Sequence, residues 1–355
     1  MSPANLSDDA LRSLCDALAA DAGRLDASGD WPQRQLQSLA DAGVFRWFAP
    51  RHLGGEGWSE PDLLRAYLAL AKSCLTTTFI LTQRQGAMGR IIAAENDELR
   101  DELLPDLVAG QTFATVGISH LTTSRRHLAK PILRAEETSR GFVLDGQSPW
   151  VTGAAHAQHV VLGATLQDGR QILAAVPVDL PGVSAPPAAK LVALSSSHTG
   201  PLVCDRVLVE RRWLLAGPVP EVMKQGLGAR TGGLQTSALA LGLASAAIDY
   251  LQEETTQRSD LAAPAENLQS DYDQVLRDLL ALAEGCGSAT ADDIRSRANS
   301  LVLRATQSAL AAAKGAGYMA DHPTGRWCRE ALFFLVWSCP QSVLAANLCE
   351  LAGLQ

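Results

Sequence analysis

The order of hydrophobic periods along this chain restricts its fold more than any other feature. Before about Thr112, apolar residues recur at helical spacing, as in Leu63, Leu64, Tyr67, Leu68 and Ala71, and again in Leu99, Leu103, Leu104 and Leu107. From there to about Trp213 come short β-rich runs broken by Gly, Pro and Asp. Residues 132–135 and 141–144 flank a polar turn and predict a hairpin. Residues 159–162, 172–176 and 202–204 predict further strands, with Pro177, Pro181, Pro186 and Pro187 in the connections. From about Val222 the helical period returns. Residues 234–254 are rich in Ala, Gly and Ser, which permits close helix packing, and Leu268, Tyr272, Val275, Leu276, Leu279 and Leu282 form one apolar face. A third helix is predicted over 291–314 with Thr290 as its N-cap, and two more over 327–337 and 342–351.

Helices, then strands, then helices predict separate layers rather than alternating βαβ units. The expected fold class is α+β, mostly α. It divides into an N-terminal helical domain (1–112), a middle β domain (113–213) and a C-terminal helical bundle (214–355).

A length of 355 residues allows a large core and several domains. The net charge of −8 argues against nucleic acid as the main partner. Seven cysteines, an odd number with no C-x-x-C pair, predict reduced thiols and a cytoplasmic protein. Residues 1–20 carry acids and no continuous apolar core, so no signal peptide is expected. The longest uninterrupted apolar run, residues 331–337, is too short to span a bilayer.

Near the C-terminus stand Gly315-Ala316-Gly317-Tyr318, His322-Pro323 and Arg326-Trp327-Cys328-Arg329-Glu330-Ala331. This stretch resembles the last signature of the acyl-CoA dehydrogenase family, roughly G-G-x-G-Y, Y-P-x-x-R, x-x-R-D-A. Other stretches resemble the same family in the same order. They are the Gly- and Pro-marked segment from Leu39 to Gly57, the segment from Glu98 to Gly110, and Leu144-Asp145-Gly146 followed by Trp150-Val151-Thr152-Gly153. Residues 195–209 and the stretch from Arg258 through Pro264 to Gln269 complete the series.

The resemblance implies FAD, with FMN as the alternative, between the β domain and the bundle. It implies a homodimer or homotetramer in which a neighbouring subunit completes each flavin site. Trp150 and Thr152 would flank the flavin ring from one strand face, where residues i and i+2 project together. Ser119 would supply the hydroxyl of the family's T-E-P motif. Arg258 and Gln269 would reach a neighbour's FAD, the arginine through charge-assisted bonds to the pyrophosphate. Beside Ser119, the cations Arg125, Arg126 and Lys130 form a basic cluster suited to an anionic substrate or a pyrophosphate.

The family's base is a glutamate removing a substrate α-proton. Its two known places fall here on Ser338 and Gly232, neither of which accepts a proton at neutral pH. Cys339, Tyr318 and Trp327 are expected to be packing residues. Three readings stay open: a flavin dehydrogenase acting on a CoA thioester or similar compound, with a relocated base and an electron acceptor as partner; a monooxygenase served by a flavin reductase; and a non-catalytic relative with a binding or assembly role. No metal, membrane or nucleic-acid partner is expected.

Overall fold

The computed structural model describes residues 8–122, 131–226 and 233–354. Five helices come first: α1 (Asp8–Ser28), α2 (Gln33–Asp41), α3 (Glu60–Ser73), α4 (Leu75–Ala93) and α5 (Asp97–Ala109). Local chemistry sets their starts. Ser59 caps α3 by accepting from the Asp62 amide, with Glu60 and Asp62 in the first turn where the helix dipole favours negative charge. Asn96 caps α5 and also donates to the carbonyls of Arg212 and Leu214 at 2.9 and 3.1 Å, tying the helix to the sheet.

The sheet holds β1 (Ala114–Gly117), β2 (Leu133–Glu137), β3 (Gly141–Thr152), β4 (His159–Leu166), β5 (Gln171–Pro177), β6 (Val183–Ser184), β7 (Thr199–Glu210) and β8 (Leu214–Val219), with a short helix α6 (Ser119–Thr122) after β1. The strand order is β6-β7-β3-β2-β4-β5-β8. The expected hairpin is β2–β3, paired antiparallel from Leu133↔Gly146 to Glu137↔Phe142. Strands β1 and β2 both run parallel to β4 and follow each other along it, β1 on His159–Leu162 and β2 on Thr165 and Leu166. The sheet extends to Val219, past the boundary at 213 read from the sequence. Leu214-Leu215-Ala216 continues as a strand because β5 offers it an antiparallel partner.

The second helical block contains α7 (Leu234–Thr255), α8 (Ala262–Ala283), α9 (Ala291–Ala313), α10 (Pro323–Ala331) and α11 (Gln341–Leu351). Thr290 caps α9 as expected, accepting from the Asp293 amide at 3.1 Å. Helix α7 is buried on nearly every side, the behaviour of a helix apolar all round. Its Gly242 lies against α3 so closely that a Cβ there would stand 2.6 Å from the Leu68 carbonyl oxygen. One hydrophobic core joins α1 and α3 to α7–α9, and a second joins α4 and α5 to the sheet.

Two sequence expectations are corrected. The helix predicted over 327–337 stops at Ala331, and Leu332–Leu335 forms a single 3₁₀ turn. Arg295 of α9 donates to the carbonyls of Phe334 and Trp337, and Asn299 donates to that of Phe334. These carbonyls are drawn out of the helical ladder, and Pro340 disfavours helix at Cys339 before it. Ser338 and Cys339 therefore lie in a connection, Ser338 with φ 44°. Tyr318, expected to pack, is 88% exposed, because it follows the chain reversal after α9 and points away from the bundle. Trp327 does pack against the helical core.

Candidate functional site

A cavity of about 840 Å³ opens between the sheet and both helical blocks. Several elements build it. The sheet contributes Trp150 and Thr152 from the end of β3 and Thr199 from the start of β7. Helix α4 contributes Phe79, Thr82, Gln83, Gln85, Gly86, Gly89 and Arg90. The N-terminal block adds Phe48, Glu60, Leu63 and Tyr67, and the turn after α10 adds Phe333, Trp337 and Ser338.

The sheet side is a chain of hydroxyls. Thr152 Oγ1 and Thr199 Oγ1 are 2.9 Å apart, and Ser197 Oγ is 2.8 Å from the same Thr199 oxygen. Three hydroxyls carry three protons and these two bonds use two, so one of the three keeps a proton that neither bond uses. The turn carrying Ser197 is held from behind. Leu194 and His198 adopt left-handed φ values of 60° and 46°. His198 donates from Nε2 to the Gly29 carbonyl at 3.0 Å, so its Nδ1 accepts from His156 Nε2 at 2.9 Å. His156 in turn stacks on Trp31 at 4.2 Å. Burial first, and His198 second, push the His156 pKa below its ordinary value.

Trp150 sits where the β3–β7 register shifts, between Ser148 and Val151. A bulge turns its indole outward, leaving it 48% exposed while Thr152 is 2% exposed. Both still face the one cavity. Ser119, at the start of α6, lines it too, and its hydroxyl has no hydrogen-bond partner. The adjacent His120 donates from Nε2 to the Gly163 carbonyl at 2.7 Å, and burial lowers its pKa.

The far end is aromatic. Phe79 meets Phe333 edge-on at 4.8 Å, and Phe333 stacks on Trp337 at 5.0 Å. At the rim Arg329 forms a two-point pair with Asp26, at 3.1 and 2.6 Å, and donates to the Val192 carbonyl at 3.2 Å. Glu60 is the one carboxylate among the described lining residues. Tyr67 offers no alternative proton acceptor, since burial raises its phenol pKa.

An indole face, a donor hydroxyl and an unpaired Ser119 hydroxyl around a roomy, partly aromatic space suit a planar heteroaromatic cofactor. The described residues include no group of His, Cys, Asp and Glu placed to hold a metal ion. No described helix is long and apolar enough to cross a membrane.

Comparison with known proteins agrees with this architecture. Residues 5–111 match the family model for the acyl-CoA dehydrogenase N-terminal domain. The probable acyl-CoA dehydrogenase YngJ of Bacillus subtilis (strain 168) is 23% identical over 337 residues, covering 88% of each chain. These matches support membership of the acyl-CoA dehydrogenase superfamily. Among solved structures, butyryl-CoA dehydrogenase from Megasphaera elsdenii superposes with a TM-score of 0.78 at 18% identity, covering 98% of this chain and 99% of that one. Dibenzothiophene monooxygenase (TdsC) from Paenibacillus sp. A11-2 superposes with a TM-score of 0.80 at 15% identity, covering 97% of each.

Within this superfamily fold, the site residues read from the sequence separate into groups. Ser119, Trp150, Thr152 and Ser338 line one cavity. Arg258 and Gln269 do not line it. Arg258 donates to the Ala312 carbonyl at 2.7 Å and pairs with Asp260 at 3.3 Å. Gln269 bonds Gln252 and Asp273 at 3.0 and 2.8 Å. Arg258 stands between α7 and α8, and Gln269 lies inside the first half of α8. Arg125, Arg126, Lys130 and Gly232 lie outside the described residues.

Sequence reasoning missed Ser197, Thr199, Glu60 and the polar face of α4. For α4 a signal existed. Phe79, Thr82, Gln83, Gly86 and Arg90 share helical spacing, so a single face carries its polar side chains and glycines.

Proposed function

We propose that this chain is an FAD-dependent oxidoreductase of the acyl-CoA dehydrogenase type, acting on an acyl thioester or a similar small organic molecule. The observation that carries the reading is the convergence of Trp150, Thr152 and the unpaired Ser119 hydroxyl on one cavity. Trp150 would cover a face of the flavin, while Thr152 donates to its edge, backed by Thr199 and Ser197. Ser119 would add a further hydrogen bond. The bound flavin supplies the capacity to accept or return an electron pair.

The aromatic end, with Phe79, Phe333 and Trp337, would hold the apolar part of the substrate and exclude water. Ser338 stands where the family's usual base is matched, and a serine hydroxyl does not accept a proton at neutral pH. Within this reading Glu60 is the acceptor that the described cavity walls offer. The test is turnover of butyryl-CoA by FAD-loaded protein with an artificial electron acceptor, without oxygen. Slow turnover, reduced further by Glu60→Gln, is expected. Fast turnover unaffected by Glu60→Gln would place the base elsewhere.

A second reading, a monooxygenase fed by a flavin reductase, is favoured by one observation: Ser338 lies in a tight connection and carries no base. Turnover only with a reductase and oxygen would select it.

Arg258 and Gln269, set apart from their own chain's cavity, are proposed to serve a neighbouring subunit in a homodimer or homotetramer. Exposed Tyr318 and Met319 support self-association.

A further inference from the structure

Helix α4 runs along the cavity between two unlike ends. Near its start Phe79 packs on Phe333 and Trp337. Just past its middle Gly86 approaches Val116 of β1, where an added Cβ would lie 3.5 Å from the valine. Gln85 projects between them, about 9 Å along the helix axis from Phe79 at 1.5 Å per residue. It lines the cavity, is only 8% exposed, and neither its amide nitrogen nor its amide oxygen has a hydrogen-bond partner. Two lining neighbours on the helix are bonded. Thr82 donates to the Phe79 carbonyl at 2.6 Å, and Gln83 donates to Thr82 at 3.0 Å. Gln85 thus brings a desolvated donor and acceptor to the wall of the ligand space, where a side-chain rotation would present them to a ligand.

A buried amide left unpaired is costly, and such residues persist where a ligand completes them. An unsubstituted alkyl chain would leave the amide stranded. A neutral group that donates and accepts, such as a hydroxyl or an amide, would pair with both of its atoms. We propose that Gln85 reads a neutral hydrogen-bonding substituent on the substrate, so that the cavity selects a hydroxylated or amide-bearing molecule over a plain acyl chain. The proposal rests on the thioester reading above only for its choice of probes.

The test has two arms. The first is thermal unfolding of ligand-free protein, which needs neither flavin nor substrate. Gln85→Leu, with Gln85→Met as a second variant, removes the unpaired amide while keeping the volume. A rise of about 2–4 °C is expected. A fall in both variants would show that Gln85 is structural and would overturn the proposal.

The second arm is calorimetric titration of FAD-loaded wild type and Gln85→Leu with butyryl-CoA, 3-hydroxybutyryl-CoA, 4-hydroxybutyryl-CoA and succinyl-CoA. Wild type is expected to prefer one of the hydroxylated thioesters over butyryl-CoA by at least about tenfold, and Gln85→Leu to lose that preference. Preference for succinyl-CoA would overturn the neutral-group claim and point to Arg90. Loss of flavin with an unchanged preference would make Gln85 a cofactor contact, which also overturns it. If no thioester binds wild type while both variants melt higher, the thioester reading fails and the ligand-directed role of Gln85 is supported.

Discussion

The two long walls of the cavity handle their polar groups in opposite ways. On the sheet side Thr152, Thr199 and Ser197 bond one another, and the turn beneath them is clamped by His198, His156 and Trp31. On the α4 side Gln85 bonds nothing. A satisfied, rigid network is prepared in advance for a group that is always the same. An unsatisfied amide waits for a group that arrives and leaves. On the proposed reading, the sheet wall would serve the cofactor and the α4 wall whatever is transformed beside it.

The largest expected effect comes at the aromatic end, between the walls. If the flavin and thioester sites are as proposed, Ser338→Glu restores a carboxylate where the family's base is matched. Butyryl-CoA oxidation should then rise by about 10²-fold or more, measured with an artificial acceptor. An unchanged rate would mean that the turn holding Ser338 aims a side chain away from the substrate.

The sheet wall should be the costlier one to break. Thr199→Val removes both bonds of the hydroxyl chain and should destabilise the protein by about 1–3 kcal/mol in denaturant titration. Thr152→Val removes one bond and should cost about 1 kcal/mol. If Thr199→Val were neutral, the contrast with the α4 wall would collapse.

A smaller effect concerns pH. The His120 and His156 pKa values are lowered in the folded protein, mainly by burial. The unfolded chain therefore binds protons that the native state does not. The stability these groups contribute is present above their ordinary value of 6.5 and is lost as pH falls below it toward the depressed folded values. Melting temperature should fall between about pH 6.5 and 5, and less steeply in His156→Gln. The α4 wall should stay insensitive in this range, since burial lowers the Arg90 pKa only to about 10.

Much of the fold was legible because each layer repeats its own signal. The helical periods around Leu63 and Leu99, the hairpin of β2 and β3, and the Thr290 cap are local features that the tertiary structure preserves. The end of α10 was not legible. It is set by Arg295 and Asn299, distant in sequence, which capture the carbonyls of Phe334 and Trp337.

Within the site, Trp150 and Thr152 stood out because the motif around them is compact. The bulge that separates their exposures depends on pairing with β7. Ser197 and Thr199 were hidden because hydroxyls in a turn and at the strand start that follows it carry no sequence period. Gln85 was hidden by its neighbours: Arg84 next to it points elsewhere, over the Phe45 ring at 3.7 Å, so the local run of polar residues did not reveal which one faces the cavity.

The most direct test of the central claim is the flavin content of the purified protein after incubation with FAD and removal of excess. Wild type should show flavin absorbance and release FAD on denaturation. Thr152→Ala and Trp150→Ala should remain folded while holding less flavin or showing a shifted spectrum. Wild-type protein that stays colourless and flavin-free after incubation with excess FAD and FMN would contradict the account.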